Sequence, residues 1–278
     1  MHPLPTLFDL SSHVAVVTGG AGLLGTEFCH TLSSAGASVI VADIDINGAQ
    51  SVADSINRNL SASNKKPLAV AIQIDVTDKS SAKDTVGETI RQFGRLDILV
   101  NSAVLDPKFD PAHSGHVNAF EDFPLEAWNQ AIEVNLTGTF LCSQAAVLPM
   151  LEQGKGVIIN LSSIYGINGP DQRLYQHEDR PQQYKPIFYS VTKTGILGMT
   201  RYLSTYYAGK NIRVNAISPG GVYNGHDDDF VQAYSARTVL GRMADKSDMN
   251  GALLFLASDA SSYMTGANLV VDGGWSVW

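Results

Sequence analysis

A tyrosine and a lysine four positions apart are the first residues in this sequence with the right types and spacing for chemistry. Tyr189 and Lys193 belong to the stretch Tyr-Ser-Val-Thr-Lys, within a run whose apolar spacing predicts a helix. Residues four apart on a helix share a face, so the ammonium would lie beside the phenol. A free tyrosine titrates near pH ~10, and a neighbouring positive charge favours its phenolate. Such a pair could exchange a proton, although by itself this spacing is usually an ordinary helix face.

A glycine-rich turn could bind the phosphates of a nucleotide. The first β-branched run leads directly into Thr-Gly-Gly-Ala-Gly-Leu-Leu-Gly at 18–25, and an amphipathic helical pattern follows at once. Glycines let a pyrophosphate approach the backbone, where free N–H groups and the helix dipole stabilise its charge. The structural alternative is a tight strand-to-helix turn with no ligand.

An acidic residue supports the nucleotide interpretation and selects between cofactors. Asp43 ends the second β-branched run and follows Gly25 by 18 positions, close to the offset expected for the acid that binds an adenosine ribose. A carboxylate there accepts hydrogen bonds from a 2′-hydroxyl and repels a 2′-phosphate. The next residue is Ile44, and the glycine turn has no Lys or Arg, so NAD is favoured over NADP. Alternatively, Asp43 could cap the helix predicted to begin near Asn47.

Seven short β-branched runs alternate with amphipathic stretches along most of the chain. The runs cover 14–17, 38–42, 68–74, 96–100, 156–161, 213–217 and 268–271, and the clearest helical patterns cover 24–35, 80–93, 124–150 and 187–208. This alternation predicts an α/β fold, a doubly wound parallel seven-stranded sheet of the Rossmann type, in a single domain over 1–278. Ligands of such sheets bind beyond the carboxyl ends of the strands.

Composition excludes several other classes of protein. The chain has 278 residues, a formal net charge of -8 and no basic stripe, which argues against a nucleic-acid partner. Two cysteines give no disulfide framework and suit a reducing compartment. The amino terminus lacks a signal-peptide pattern, and no apolar run elsewhere approaches the roughly 20 residues that a membrane span requires. We therefore expect a cytoplasmic protein with no membrane partner.

Two stretches break the alternation, and both follow strands, so both should overhang the ligand end of the sheet. The first, at about 164–186, is polar and rich in turn formers, and the second covers about 221–247. Side chains of the first stretch that could hydrogen-bond a hydroxylated or carboxylated ligand are Asp171, Gln172, Arg173, Tyr175, His177, Glu178 and Asp179. A solvent-exposed loop without substrate contact is the alternative. In the second stretch, His226-Asp227-Asp228-Asp229 is better explained by a helix start than by a metal, and no metal is expected.

The ordered motifs of this chain resemble those of the short-chain dehydrogenase/reductase family over nearly its whole length. Besides the glycine turn and the Tyr189–Lys193 pair, they are Asp75-Val76, Asn101-Ser102-Ala103, Val134-Asn135, Ser162-Ser163 and Ser218-Pro219-Gly220. The resemblance implies that Tyr189 is the general acid and base and that Lys193 holds the nicotinamide ribose. It also implies that Ser163 binds the substrate oxygen and that Asn135 positions a water in the proton relay.

The same resemblance implies a set of cofactor-binding positions. These are Gly19, Gly22, Leu23, Leu24 and Gly25 at the phosphates, Asp43 and Ile44 at the adenosine ribose, Asp75 and Val76 at the adenine, Asn101 and Ala103 along the ribose, Tyr189 and Lys193, and Pro219, Gly220 and Val222 around the nicotinamide. Ordinary structural roles compete for two of them. Asp75 could cap the helix expected near Lys79, and Pro219-Gly220 could be a turn.

The sequence departs from the family pattern at several points. Tyr189 follows Ser163 by 26 positions, about twice the interval usual in the family, so an insertion must occupy the rim of the site. The glycine spacing is closer to that of nucleotide-sugar epimerases, and Val104 stands where the family commonly has glycine. Strand alternation sends Ser162 and Ser163 to opposite faces, so Ser162 remains an alternative substrate contact.

The resemblance implies an NAD-dependent oxidoreductase that interconverts a secondary alcohol and a ketone. The polar insertion favours a sugar, polyol or sugar acid as substrate. One alternative is a nucleotide-sugar epimerase or dehydratase, which would retain NAD through purification and produce no net NADH. Another is a dinucleotide-sensing protein without turnover, which the intact set of catalytic residues disfavours. Family members of this size commonly form tetramers, so a homotetramer or a homodimer is expected.

Overall fold

A single seven-stranded sheet organises the chain. The computed structural model describes residues 4–58, 68–106, 118–176 and 182–278. The strands are β1 Val14–Thr18, β2 Ser38–Asp43, β3 Ala69–Gln73, β4 Ile98–Asn101, β5 Gly156–Leu161, β6 Ile212–Pro219 and β7 Asn268–Val271. Every pairing is parallel, and the spatial order is β3-β2-β1-β4-β5-β6-β7. The predicted fold class is confirmed.

Helices cover both faces of this sheet. They are α1 Leu4–Leu7, α2 Leu23–Ser34, α3 Ile46–Arg58, α4 Lys79–Phe93, α5 Leu125–Ile132, α6 Gly138–Gln153, α7 Ile187–Tyr206, α8 Asp228–Ser235 and α9 Asn250–Ala257. A π-helical turn, Glu133–Thr137, joins α5 to α6. Short 3₁₀ turns occupy Ile164–Gly166, Gln172–Tyr175, Lys246–Met249 and Asp259–Ser261.

Alternation along the strands divides the buried side chains between two cores. In β1, Ala15 and Val17 pack in the core that contains α2, α3 and α9, whereas Val16 packs in the core beneath α4 and α6. In β4, Leu99 likewise faces away from its two neighbours. Successive strand residues point to opposite faces, and both faces are covered by helices. This explains why the strands are nearly continuous apolar runs.

The long predicted helix at 124–150 is interrupted in the structure. α5 ends at Ile132, the π-helical turn follows, and α6 continues to Gln153. Together these elements form a helical run, Leu125–Gln153, that is long and apolar enough by average composition to cross a membrane. Half of its most apolar window is buried inside the protein, as in the core helix of a globular domain. By length and average composition alone, this helical run is an exception to the expectation that no apolar run approaches membrane-spanning length.

The sheet topology places a binding edge between β1 and β4. The chain runs outward from β1 through β2 to β3 and then returns to the other side of β1 as β4. Strand order reverses there, and a crevice opens at the carboxyl ends of the two strands. Thr18 and Asn101, which end β1 and β4, are direct neighbours in register, and Asn160 of β5 is the next neighbour of Asn101. The glycine turn and the segments after β4 and β5 consequently meet at one edge.

Candidate active site

The glycine turn has the geometry of a phosphate cradle. Gly19 adopts a positive φ of 66°, and a Cβ at Gly25 would collide with the Gly19 carbonyl oxygen. The Gly22 amide donates to the same oxygen at 3.0 Å, and α2 begins without a side-chain cap. The first-turn amides of Leu23, Leu24 and Gly25 have no intrahelical partner by helix geometry. These features fit a dinucleotide pyrophosphate, which needs free N–H groups and close backbone approach.

Asp43 lies beside this cradle and does not cap the following helix. Its Oδ2 accepts a hydrogen bond from the Ala21 amide at 2.9 Å, and its Oδ1 accepts one from the Asp45 amide at 3.0 Å. Asp45 caps α3 instead, accepting from the amides of Asn47 and Gly48, each at 3.1 Å. Asp45, and not Asp43, is therefore the residue that caps α3. The carboxylate of Asp43 joins the end of β2 to the glycine turn, with Ile44 exposed next to it.

Asp75 also has a neighbour that takes the capping role. Its Oδ1 accepts from the amide of Thr77 at 2.9 Å and from the Thr77 hydroxyl at 2.7 Å, and the residue is exposed. α4 is capped by Asp78, whose side chain accepts from the Ser80 amide at 2.8 Å. Val76 is buried, and a Cβ at Gly138 would meet its side chain at 2.7 Å.

Asn101 belongs to a buried polar network at the end of β4. Its amide nitrogen donates to the Ser143 hydroxyl at 3.0 Å and to the Asn160 side-chain oxygen at 2.8 Å. Its own Oδ1 is buried without a hydrogen-bond partner among the described residues. Only that oxygen and the backbone remain for the predicted cofactor role. Ala103 packs against the glycine turn, since a Cβ at Gly19 would lie 2.7 Å from the Ala103 Cα.

Tyr189, Lys193 and Ser163 meet at the carboxyl end of β5. Tyr189 is half-buried near the start of α7, and its phenol hydrogen-bonds the Ser163 side chain. The Lys193 ammonium lies 5.7 Å from the centre of the Tyr189 ring and donates to the Leu161 carbonyl at 2.7 Å. Three residues separated by up to 30 positions are thereby brought into one cluster, as their predicted roles require.

Burial shifts the pKa values of both titratable groups in this cluster. It raises the pKa of the Tyr189 phenol, the negative charge of Asp106 raises that pKa further, and the hydrogen bond from Ser163 lowers it. Burial lowers the pKa of Lys193 to about 8, against the opposing effect of Asp106. Both shifts have the same cause, because an apolar environment penalises the charged form of either group. A positively charged ligand beside the phenol would counteract the first shift.

The two adjacent serines have different partners. The Ser162 hydroxyl donates to the Lys193 backbone carbonyl at 2.8 Å and so fastens the end of β5 to α7. The Ser163 side chain faces Tyr189 and accepts from the Tyr165 amide at 3.1 Å. Of the two alternatives left open by strand alternation, Ser163 is therefore the one next to the phenol.

Asn135 lies in the π-helical turn and binds the segment after β4. Its Oδ1 accepts from the Leu105 amide at 2.6 Å, and its Nδ2 donates to the Leu105 carbonyl at 3.1 Å. The same nitrogen is 3.5 Å from the Thr192 hydroxyl on α7. A π-helical turn adds one residue to a helix and is frequent at functional sites. The observed contacts hold the backbone before Asp106, while the water-positioning role stays a prediction.

A lysine of the polar insertion that is not among the predicted site residues lies against the tyrosine. The Lys185 ammonium is 4.0 Å from the centre of the Tyr189 ring and forms an ion pair with Asp106, 2.7 Å from Oδ1 and 2.9 Å from Oδ2. Lys185 precedes Tyr189 by four positions, the same interval by which Lys193 follows it. That spacing was the available signal, whereas nothing in the sequence connects Lys185 to Asp106.

The described part of the insertion packs against the site. Gln172 accepts from the Lys185 amide at 2.8 Å and donates to the Lys185 carbonyl at 3.3 Å. Asp171 forms ion pairs with Arg173 and with Arg237, the latter just beyond α8. Tyr175 is buried, and its hydroxyl is 3.3 Å from that of Tyr165. This part of the insertion is therefore packed against the site, and its contact with a substrate stays a prediction. His177, Glu178 and Asp179 lie outside the described residues.

Aromatic rings that the sequence analysis did not single out extend the site away from the sheet. Tyr165 meets Tyr189 edge to face, with ring centroids 6.4 Å apart, and meets Trp275 in the same way at 5.9 Å. Tyr234 of α8 stacks on Trp275 at 6.2 Å. All of these rings except Tyr189 are buried. The neighbourhood of the phenol therefore combines an apolar aromatic wall with an ion pair.

The second predicted loop begins at the end of β6. The Gly220 amide donates to the Val271 carbonyl at 2.9 Å, and a Cβ on Gly220 would lie 2.8 Å from the Asp272 Cα. Val222 forms an isolated parallel bridge with Ala244, so the loop from Pro219 onward is closed at its base. Asp227 caps α8 by accepting from the Phe230 amide at 2.9 Å. Within residues 4–58, 68–106, 118–176 and 182–278, no cluster of three metal-ligating side chains occurs.

Comparisons with known proteins agree with this geometry. The family model described as enoyl-(acyl carrier protein) reductase matches residues 20–276. The chain is 33% identical to trans-4-hydroxycyclohexanecarboxylate dehydrogenase of Sinomonas cyclohexanicum, over 95% of this chain and 93% of the relative. It is 32% identical to D-threitol dehydrogenase of Mycolicibacterium smegmatis, over 97% and 95% of the two chains.

A solved structure extends the likeness to three dimensions. The short-chain dehydrogenase of Leptospira borgpetersenii with bound NAD+ superposes with a TM-score of 0.80 at 35% identity, covering 99% of this chain and 96% of that one. Sheet order, the Tyr189–Lys193 pair and full-length similarity to curated dehydrogenases lead to one conclusion. The chain belongs to the short-chain dehydrogenase/reductase family and is an oxidoreductase of that family.

Proposed function

We propose that the protein is an NAD(H)-dependent oxidoreductase that interconverts a secondary alcohol and a ketone on a sugar, polyol or sugar acid. The observation that carries the proposal is the Tyr189 phenol, hydrogen-bonded to Ser163 and flanked by Lys193 at the ligand end of the sheet. Relatives named for a hydroxycyclohexanecarboxylate and for D-threitol support a small hydroxylated substrate.

A bound dinucleotide would supply the hydride acceptor for oxidation and the hydride donor for reduction. We assign its phosphates to the glycine turn, its adenosine to the ends of β2 and β3, and its nicotinamide half to the ends of β4 and β6. The residues proposed for these contacts are Gly19, Gly22, Leu23, Leu24, Gly25, Asp43, Ile44, Asp75, Val76, Asn101, Ala103, Tyr189, Lys193, Pro219, Gly220 and Val222. The uncapped start of α2 and the lack of space at Gly25 support this assignment.

Each residue of the cluster has a separate role in the proposed proton transfer. Tyr189 takes the alcohol proton at its phenolate oxygen during oxidation and returns it to the carbonyl oxygen during reduction. Ser163 holds the substrate oxygen next to that phenol. Lys193 favours the phenolate by its charge, and Asn135 keeps the neighbouring backbone in place while orienting a water for the proton relay. The insertion at about 164–186 and the loop at about 221–247 form the substrate rim.

Replacing the proton carrier alone tests the proposed chemistry. Tyr189→Phe keeps the ring and removes the hydroxyl, so NAD should still bind while the rate of alcohol oxidation falls by about 100-fold or more. The measurement is NADH formation with secondary alcohols, including polyols, aldonates and hydroxycyclohexanecarboxylates. Tyr202→Phe, at an exposed position on α7, is the matched control and should retain the wild-type rate. Full turnover by the Tyr189 variant would refute the mechanism.

The cofactor preference is tested through Asp43. The wild-type enzyme should use NAD with a kcat/KM at least about tenfold above that for NADP, because a carboxylate accepts from a ribose hydroxyl and repels a phosphate. Asp43→Asn removes the charge and should narrow that ratio. A tenfold preference of the wild-type enzyme for NADP would show that Asp43 does not contact the ribose. NAD that copurifies without net NADH production would instead favour the epimerase or dehydratase alternative.

We further propose that the enzyme is cytoplasmic and forms a homotetramer or a homodimer. The two free, buried cysteines suit a reducing compartment and support the first statement, and the tetramers common among family members of this size support the second. The mass of the purified protein in solution tests the assembly, and a monomer would contradict it.

A further inference from the structure

Lys185 is closer to the Tyr189 ring than Lys193 is. Its ammonium lies 4.0 Å from the ring centre, whereas that of Lys193 lies 5.7 Å away. The Lys185 side chain is only 13% exposed, so little water separates its charge from the ring. A cation over an aromatic face is attracted to it, and a cation near a phenol favours its ionised form.

The partner of Lys185 has the opposite influence on the phenol. Asp106 is 34% exposed, and its negative charge raises the pKa values of both Tyr189 and Lys193. The Lys185 ammonium contacts both carboxylate oxygens of Asp106 and also faces the ring. The charge of Lys185 therefore offsets the effect of the Asp106 carboxylate on the phenol.

Lys185 is held through its own backbone, and Asp106 through the backbone of the residue before it. Gln172 from the insertion hydrogen-bonds the amide and carbonyl of Lys185, and Pro186, the N-cap residue of α7, follows directly. Asn135 from the π-helical turn hydrogen-bonds both backbone groups of Leu105, the residue before Asp106. Such anchoring is what a fixed charge next to a proton carrier requires.

The other titratable groups near Tyr189 do not replace this pair. The polar side chains around the phenol are Ser163 after β5, Lys193 on α7, Tyr165 and Tyr175 on the 3₁₀ turns Ile164–Gly166 and Gln172–Tyr175, and Tyr234 on α8. Burial raises the pKa values of these three tyrosines, so they are neutral at neutral pH. Among the described residues, the charged groups at the phenol are thus Asp106, Lys185 and Lys193.

We propose that Lys185 is a positioning residue that, together with Asp106, sets the pH at which Tyr189 can accept the substrate proton. This inference rests on the proposed role of Tyr189 and adds a second lysine to it. Lys185 stabilises the phenolate by its own charge and by screening Asp106. At a separation of a few ångströms in a partly buried site, one unit charge corresponds to about one pH unit or more.

The pH dependence of kcat/KM for alcohol oxidation tests the proposal in four variants and one control. Lys185→Met should move the acidic limb about one pH unit towards alkaline pH, because the phenolate loses its cation and faces Asp106 alone. Asp106→Asn should move that limb the opposite way, and the double variant should return it close to the wild-type position. Lys185→Arg keeps the charge and should rescue the profile. Lys155→Met removes an exposed lysine paired with Asp259 and should leave the profile unchanged.

A measurement on the NAD complex, without turnover, applies to variants that react too slowly for a pH profile of kcat/KM. Ultraviolet difference titration of the NAD complex, each variant against its own Tyr189→Phe counterpart, follows the ionisation of this phenol directly. An unmoved ionisation in Lys185→Met, whether activity persists or falls, would overturn the proposal and leave Lys185 a structural role. Loss of the Tyr189 requirement itself would instead refute the proposed function, so the two failures are distinguishable.

Discussion

The two lysines beside Tyr189 are held in different ways, and the difference affects stability as well as chemistry. Lys185 has a carboxylate partner, whereas Lys193 is almost fully buried and donates to a backbone carbonyl. Burial of an ammonium without a counter-ion destabilises the folded state, which is expressed in its lowered pKa of about 8. The site thus contains a charge that opposes folding and serves the phenol.

Removing that charge should stabilise the protein while it abolishes activity. At pH 7 both the folded and unfolded states keep Lys193 protonated, so Lys193→Met should raise the free energy of unfolding by on the order of 2 kcal/mol. Above pH ~8 the folded state releases the proton first and the wild-type protein gains stability, so the difference should shrink towards pH ~10.5. Denaturant unfolding without cofactor at pH 7 and ~10 measures this.

The exposed residue Lys155 provides the control for that comparison. It is 43% exposed and forms a surface ion pair, so Lys155→Met should change the free energy of unfolding only slightly at pH 7. A Lys193→Met protein that is less stable than the wild type at pH 7 would show that the lost hydrogen bond to Leu161 outweighs the cost of burial.

At the scale of elements, the insertion supports the site through the backbone of Lys185. Gln172→Leu keeps the side-chain size and removes both hydrogen bonds to Lys185, each worth about 1 kcal/mol. The fold should persist, kcat/KM should fall by about tenfold, and the acidic limb of the pH profile should move in the same direction as in Lys185→Met, but less. Steady-state kinetics across pH, with circular dichroism, measures these effects.

Arg173→Leu is the neighbouring comparison, because its side chain is 75% exposed and contacts only the rim residue Asp171 in the described hydrogen bonds. Its kinetics should stay close to those of the wild type. Equal losses in the Gln172 and Arg173 variants would mean that the insertion acts by general packing and not through Lys185.

Whether a feature could be predicted from sequence depends largely on how far apart in the chain its residues lie. Strand alternation and the four-residue spacing of Tyr189 and Lys193 are local, and the structure contains both the seven parallel strands and the cluster. The π-helical turn adds one residue inside an otherwise regular apolar pattern, so 124–150 was predicted as one helix. The ion pair of Lys185 with Asp106 joins residues 79 positions apart, which no local pattern encodes.

The aspartates that cap helices could not be identified from sequence either, although they lie close to their helices in the chain. Asp43 and Asp75 were each considered as helix caps, yet Asp45 and Asp78 take those roles. Two aspartates lie within the four residues before each of these helices, and only the path of the backbone decides which one reaches the free amides. Sequence can therefore place a cap in a short window but cannot choose among equivalent side chains.

At the scale of the whole molecule, the end of the chain meets the site through the aromatic row. Trp275 lies three residues before Trp278, is buried, and carries an indole N–H without a hydrogen-bond partner among the described residues. Arg237, which lies 5.5 Å from its ring, is ion-paired to Asp171 of the insertion. The insertion, the loop after β6 and the terminal segment therefore pack as one unit around the rim.

This packing gives the enzyme an optical reporter. Trp275 is separated from Tyr189 by the single ring of Tyr165, whereas Trp278 is 77% exposed. Occupancy of the cleft by NADH should quench the fluorescence of Trp275, because the reduced ring absorbs light where indole emits. The quenching should fall more in Trp275→Phe than in Trp278→Phe or in Trp128→Phe, which removes the third indole of the chain. An equal loss in all three variants would mean that Trp275 is not the main reporter; otherwise, ligand arrival can be timed in the unlabelled protein.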